Sequence, residues 1–459
     1  MEFFLHRFLW SFLLLLLIWL PIPLGSNRPW AWLIFELSAF IIVLGCVFLK
    51  RHDEWLGLAK YKTPIILWLC FLFICLLQIL PFPASLIELI SPNRLNEQLT
   101  SPTAWYYLST DVGQSQVSFI KSLGYFCVFL SCLMLINHEK HLRRLLLVML
   151  LSGTFQAIYG VLEVLSGNSF SPIFDFAISE SATGSFVYKN FFANFLMLCL
   201  SAGVGLMVTD IEINKSRKPQ DWRIALINTL LSSKTVNRIC LVIMVIALVM
   251  SRSRMGNVAF FSALIAVSVF VLLLDRKKSK GLGILLVSML IIDLFIVSHW
   301  FGLEKVQQRL AETSLSQENR DEVVIDSLPI VKDYPIIGAG AGSFYGVFPG
   351  YKNANIYAFY DHAHNDYLEI LIEYGILGFV VLGLLVLSSF VKAMSALKKN
   401  ASPMTKGTAF ACLMAYLGML IHITVDFPLQ APANAIYFII FIALAFISKN
   451  ISVNQQTKN

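Results

Sequence analysis

Apolar residues in this chain come in long unbroken runs, such as Phe12-Leu-Leu-Leu-Leu-Leu-Ile18 and Leu382-Gly-Leu-Leu-Val-Leu387, with no sustained alternation of the strand kind. A helix needs roughly 17 to 25 predominantly apolar residues to cross a bilayer, because each residue adds about 1.5 Å of rise. Runs of that kind begin near residues 5, 30, 64, 118, 145, 190, 239, 256, 282, 366, 406 and 434. They predict an all-α polytopic membrane protein of about twelve transmembrane helices. The polar gaps are mostly short, so the whole of residues 1–459 reads as a single membrane domain. Arg7 ahead of the run from Leu9 resembles a secretion signal, but Pro21, Pro23 and Leu24 stand where a small-residue cleavage site would lie. The run is expected to stay as the first helix.

Composition agrees with the pattern: 57% of residues are hydrophobic and only 14% charged, with a mean hydropathy of +0.72. The formal net charge of +7 would suggest a nucleic-acid partner in a soluble protein. Here the basic residues sit in short loops, where they set topology, and no nucleic-acid partner is expected. The loops near Arg51 and Lys62, from Lys140 to Arg144, Lys215 to Arg238, Arg276 to Lys280 and Lys392 to Lys406 are basic, and they alternate with basic-poor loops. Positive loops stay inside, so both termini are expected in the cytoplasm. Three sizeable segments then lie outside: Phe82 to Val117, Gly167 to Lys189 and, largest, residues 301–365 before the tenth helix. The eight cysteines lie within or at the edges of apolar runs without a CxxC pair, so neither disulfides nor a metal site is expected.

Within the largest segment, Ser316 or Asn319 is placed to cap a helix with Arg320, Val324, Leu328 and Val331 on one face, ended by Pro335. Gly338, Gly340 and Gly342 form a turn, since the run lacks the Lys-Ser/Thr and the preceding strand of a phosphate loop. An aromatic-rich stretch from Phe344 to Tyr360 leads to His362 and His364 at the mouth of a transmembrane run.

Two roles fit those histidines: a general base for an acceptor hydroxyl, since imidazole titrates nearest operating pH, or hydrogen bonding at the interface. Cations are scarce on the outer side, and Lys189, Arg252, Arg254 and Arg320 stand out. Guanidinium forks bind two phosphate oxygens at once and would stabilise a diphosphate leaving group, while snorkelling to the interface is the plain alternative. Arg252 and Arg254, two residues apart, point to different sides of a helix, so one of them is expected to face a common site. Asp426 follows His422 on one expected helix face, where it orients a base, holds a sugar hydroxyl or pairs with an arginine. Gly375 and Gly378 read as close helix packing.

His364-Asn365, nine residues, then Gly375-x-x-Gly378 resembles the signature of the O-antigen ligase and polymerase superfamily of bacterial membrane glycan enzymes. Asp333-Tyr-Pro-Ile-Ile-Gly338-Ala-Gly-Ala-Gly342-Ser-Phe344 is similar to the segment preceding it. Ser253-Arg254-x-Gly256 and Gly184-Ser-Phe-x-x-Lys189-Asn190 resemble two further motifs, and Arg320 occupies the place of a loop arginine. The likeness is strongest over residues 180–435.

The resemblance implies a metal-independent, inverting glycosyltransferase without a cofactor, in the bacterial inner membrane with its site facing the periplasm. Its donor would be an undecaprenyl-diphosphate-linked glycan, and its acceptor a hydroxyl of lipid A-core or another glycan. By position, His364 takes the catalytic base, and Arg254, Arg320 and Lys189 bind diphosphate. His362, Asn365, Asp426 and Arg252 support them. A polymerase joining repeat units is the near alternative. A lipid or glycan transporter, from another class, fits the hydropathy but would favour internal repeats and mid-membrane charges.

Overall fold

A computed structural model describes residues 2–49, 57–98, 105–171, 173–177, 180–215, 233–274, 320–354, 356–398 and 401–456. The helices in chain order are α1 (Glu2–Trp19), α2 (Pro29–Leu49) and α3 (Lys62–Ile79). The short α4 (Ala84–Ile90) and α5 (Pro92–Gln98) follow, then α6 (Val112–Leu135), α7 (Glu139–Ser166), α8 (Lys189–Lys215), α9 (Ser233–Met250) and α10 (Arg254–Leu274). After them come α11 (Arg320–Asp333), the single turn α12 (Phe344–Val347), α13 (Asp366–Ala396), α14 (Pro403–His422) and α15 (Pro432–Gln456). Among the described residues nine helices are long and apolar enough to cross a membrane, and Phe4–Trp19 and Thr235–Met250 are shorter apolar helices. The run near 282, the basic loop from Arg276 to Lys280, most of the loop after Lys215, and the cap at Ser316 or Asn319 lie outside the described residues. The eight cysteines are free thiols.

Helices α8, α14 and α15 form the centre: 94%, 78% and 89% of their apolar windows are buried, against 28% for α13. Small residues let the central helices approach. A Cβ at Gly205 would meet Ala411 and the carbonyl of Gly407, and one at Gly418 would meet Met197, so glycines on both α8 and α14 serve this interface. Outward residues of α13 such as Leu377, Val380, Leu384, Leu387 and Val391 are exposed, as suits a lipid-facing helix.

Hydrogen bonds join helix ends into two groups. At one end the start of α7 meets the end of α8 through Arg143 and Asp210 at 3.5 Å, and α14 meets α8 through Lys406 and Glu212 at 3.0 Å. At the other end lie the turn after α1, the end of α3, and the starts of α6, α8 and α13, together with the segment between α14 and α15. The helices therefore alternate in direction. A two-stranded antiparallel ribbon, β1 (Pro81–Phe82) with β2 (Tyr106–Tyr107), pairs Pro81 with Tyr107 and carries α4 and α5 at that second end.

The most buried residues of α11 are Val323, Asp326, Ser327 and Ile330, with Val324 and Val331 packed against the same cluster of Phe344, Phe348, Ala363, Leu368 and Ile372, while Leu328 is half exposed. One expectation is corrected. Gly375 is not simply a packing glycine: it sits at φ 62°, ψ −171° and breaks α13 inside its apolar run.

Candidate functional site

The break in α13 frees backbone groups that the apolar surroundings cannot satisfy. The segment 335–341 satisfies them. Ala339 N donates to Ile372 O at 2.7 Å and Gly340 N to Glu373 O at 3.2 Å, while Ile376 N donates to Pro335 O at 2.9 Å and Leu377 N to Ile336 O at 3.2 Å. Gln78 of α3 closes the junction: its Nε2 donates to Ile337 O and Glu373 O at 2.8 and 2.7 Å, and its Oε1 accepts from Ala341 N at 3.0 Å. Gly338, Gly340, Gly342 and Gly375 all have positive φ. At Gly338 a Cβ would run into the backbone of Glu373, and at Gly375 into that of Ile336, so only glycine fits this interlock. The two glycine motifs, far apart in sequence, are halves of one joint.

The joint holds the loop that carries His362 and His364 over the start of α13. Asn365 caps that helix by accepting from Leu368 N at 3.1 Å, and its Nδ2 donates to Thr424 O at 2.9 Å. Asp366, fully buried, donates its amide to Ile423 O and Asp426 O at 3.1 and 3.2 Å, and its Oδ2 accepts from Leu429 N at 3.0 Å. These bonds draw the chain away from the α14 axis, so α14 ends at His422. Asp426 therefore lies past the helix and does not share a helical face with His422, as the four-residue spacing suggested. His422 is buried in the bundle with its Nδ1 3.1 Å from Asn194 Nδ2.

Phe427 sits at the centre of the site. His362 stacks on it with ring centroids 4.5 Å apart, and His364 meets it edge-on at 4.8 Å. Tyr188 stacks at 5.5 Å and Phe191 packs edge-on at 5.3 Å. Beside it Asp426, 2% exposed, accepts from Phe427 N at 2.8 Å and from the Nδ2 of Asn190, with Tyr188 Oη at 3.4 Å. Asp426 thus ties the histidine loop to the start of α8.

His364 has φ +52°, a strained region for a side-chain-bearing residue though one His tolerates better than most. His362 is held differently: its Nδ1 lies 2.7 Å from Glu369 Oε1. Burial works against charge on His362, but the Glu369 carboxylate, with Asp361 and Glu373 nearby, outweighs it and pushes the imidazolium up to about 9. At neutral pH His362 is charged and already engaged, which makes it a poor proton acceptor.

Two of the expected cations share one placement. Lys189 and Arg254 are the first residues of α8 and α10, and Arg320 stands where the described part of α11 begins. A cation is unfavourable at a helix N-terminus, where the dipole is positive, unless an anion is also drawn there. The starts of α8 and α10 adjoin: Ala182 N donates to Met250 O at 3.0 Å, and a Cβ at Gly256 would meet Ala193. Ser253 caps α10 by accepting from Gly256 N at 3.2 Å. Helix α11 packs on Ala363 and Leu368 through Val323 and Ile330. Arg252, at φ +52°, pairs with Glu180 at 2.5 Å. Sequence reasoning missed Glu369 and Phe427. Asp366, Glu369 and Glu373 recur on one face of an apolar helix, and intramembrane carboxylates at such spacing are a functional signal.

Residues 239–383 match the sequence model described as O-Antigen ligase. That stretch is similar to the O-antigen ligase family. The matched stretch runs from α9 into the first half of α13 and so includes Arg254, Arg320, the glycine joint and both histidines. The match bears out the resemblance read from the motifs, and it supports activity of the ligase or polymerase class, with a lipid-linked glycan and a glycan acceptor as general partners. Among curated proteins none matches the chain.

Proposed function

We propose that this protein is an O-antigen ligase-like glycosyltransferase that moves a glycan from undecaprenyl diphosphate to an acceptor hydroxyl, on lipid A-core or another glycan, at the periplasmic face of the inner membrane. The observation that carries the reading is the meeting of the histidine loop, the Lys189–Asn190 start of α8 and Asp426 around Phe427, the loop lying inside the stretch similar to the O-antigen ligase family. In this mechanism the acceptor oxygen attacks the anomeric carbon from the face opposite the diphosphate. Its proton passes to an imidazole nitrogen of His364 as the new C–O bond forms. The anomeric C–O bond to diphosphate breaks with its electron pair leaving on the phosphate oxygen, and the configuration inverts. Arg254, Arg320 and Lys189 neutralise the growing charge, a form of stabilisation that strengthens in the transition state. Asn365 and Asp426 hold the framework, and Arg252 acts through Glu180 on the turn between α9 and α10.

The deciding experiment uses the purified full-length protein in lipid with a glycan-linked undecaprenyl diphosphate. Release of undecaprenyl diphosphate only when acceptor is present is the expected result. Chain extension with donor alone would make the protein a polymerase, and passage of intact donor across the bilayer without bond cleavage would make it a transporter.

A further inference from the structure

Glu369 has no part in the reaction just described, yet it is a buried carboxylate with three partners at the site. It is 1% exposed, and its oxygens accept from His362 Nδ1 at 2.7 Å, Ala363 N at 2.9 Å and Gln430 Nε2 at 2.8 Å. The three donors come from the histidine loop and from the segment between α14 and α15, so one carboxylate on the rigid first turn of α13 fixes both walls of the site. Ala363 is the residue between the histidines, and its amide bond to Glu369 sets the backbone immediately before the positive φ of His364. His362, held in plane by the same carboxylate, lies flat on Phe427, whose other contacts include the edge of His364. Two independent routes therefore run from Glu369 to His364, one through the main chain and one through stacked rings.

We infer that Glu369 is a positioning residue for His364, acting through the Ala363 amide and through a His362 ring that it keeps in place; this rests on the ligase reading above. The logic is that of a base oriented by a third group, transferred to a neighbour of the base. The groups that face His362 are Glu369, Glu373 and Asp366 from α13, Asp361 from its own loop, and the ring of Phe427 stacked on it. Its folded-state pKa is raised, so the lock is complete at neutral pH and is lost as pH rises through about 9.

The test compares wild type, Glu369→Gln, Glu369→Asp and His362→Gln as full-length protein in lipid nanodiscs. Glu369→Gln should lower kcat by about 100-fold, the scale of a small misplacement of a reacting group, with KM for donor little changed. Its alkaline limit of activity should move down from about 9 toward the ordinary histidine value of about 6.5. Glu369→Asp should recover part of the rate, and combining Glu369→Gln with His362→Gln should cost less than the product of the single losses. Histidine-selective NMR and amide exchange over residues 361–364 give a second reading that needs no turnover: a lowered His362 titration and faster Ala363 exchange in Glu369→Gln support the lock. If wild type transfers no glycan, the ligase reading fails while these two signals still judge the lock. Wild-type kcat and an unmoved alkaline limit in Glu369→Gln would overturn the inference, as would unchanged titration and exchange.

Discussion

The two ends of this bundle are built by different rules. At the end that carries Arg143, Asp210, Lys406 and Glu212, opposite charges meet across neighbouring helices. There α14 starts in the ordinary way, with Ser402 accepting from Thr405 N at 3.1 Å. At the other end a spanning helix is broken, non-glycine residues take positive φ at Arg252 and His364, cations open helices, and three carboxylates are buried on one helix face. Each of these features costs stability, and each is maintained by a specific bond network. The lesson is that the first end specifies how the helices assemble, whereas the second spends part of that stability on holding chemical groups in place.

Substitutions can break or sharpen this contrast. The largest effect belongs to His364→Ala, which should bind the glycan lipid normally and lose transfer by about 10² to 10⁴, the usual worth of general-base assistance. Single-turnover kinetics alongside donor binding would check it; retention of more than about a tenth of the rate would shift the base elsewhere, with Asp426 next to be tried. His362→Ala should be milder.

Next come Arg254→Ala and Arg320→Ala, each expected to lower turnover by about 10² to 10³ with unchanged membrane level, as for loss of one preorganised electrostatic group. Lysine at either position should restore only part, because it keeps the charge and loses the fork. Full activity of Arg320→Lys would reduce the arginine's role to bulk charge.

Gly375→Ala probes the joint itself. The added Cβ meets Ile336 at a φ that alanine resists, and a destabilisation of about 1–3 kcal/mol is expected, read as earlier thermal unfolding of the solubilised protein. Smallest are changes at the ordinary end: Ser402→Ala should cost about 1 kcal/mol as a lost cap, and Lys406→Ala at most about 1 kcal/mol as a lost ion pair. Both should transfer glycan at the wild-type rate. A turnover defect in either one as deep as that of Arg254→Ala would erase the distinction between the ends.

The helices were legible in the sequence because a bilayer demands long apolar runs, and no tertiary information is needed to see them. The histidine loop and its cations were legible as residues, through motifs and through their rarity among basic-poor loops. Their arrangement was not. A glycine in an apolar run reads the same whether it packs a helix or breaks one; at Gly375 the answer depends on residues 335–341 and on Gln78, which only the fold brings near. The end of α14 depends in the same way on the amide of Asp366, a partner that helical spacing cannot reveal. For α11 the spacing of Val324 and Val331 was legible, but the burial of Val323 and Ile330 in the second hydrophobic cluster was not. Glu369 was in plain view within the motif, but its role required knowing that Gln430 and Ala363 converge on it.

The joint at Gly375 also orders the birth of the protein. Gln78 enters the bilayer with α3, and every group its side-chain amide bonds is made hundreds of residues later, at Ile337, Ala341 and Glu373. Until then the amide is a polar group in hydrocarbon with its lasting partners unmade, a state worth several kcal/mol of penalty unless water or an insertase meets it. Translation of residues 335–377 ends that wait, yet the site itself is complete only once Asp426 and Phe427 have followed with the central helices α14 and α15.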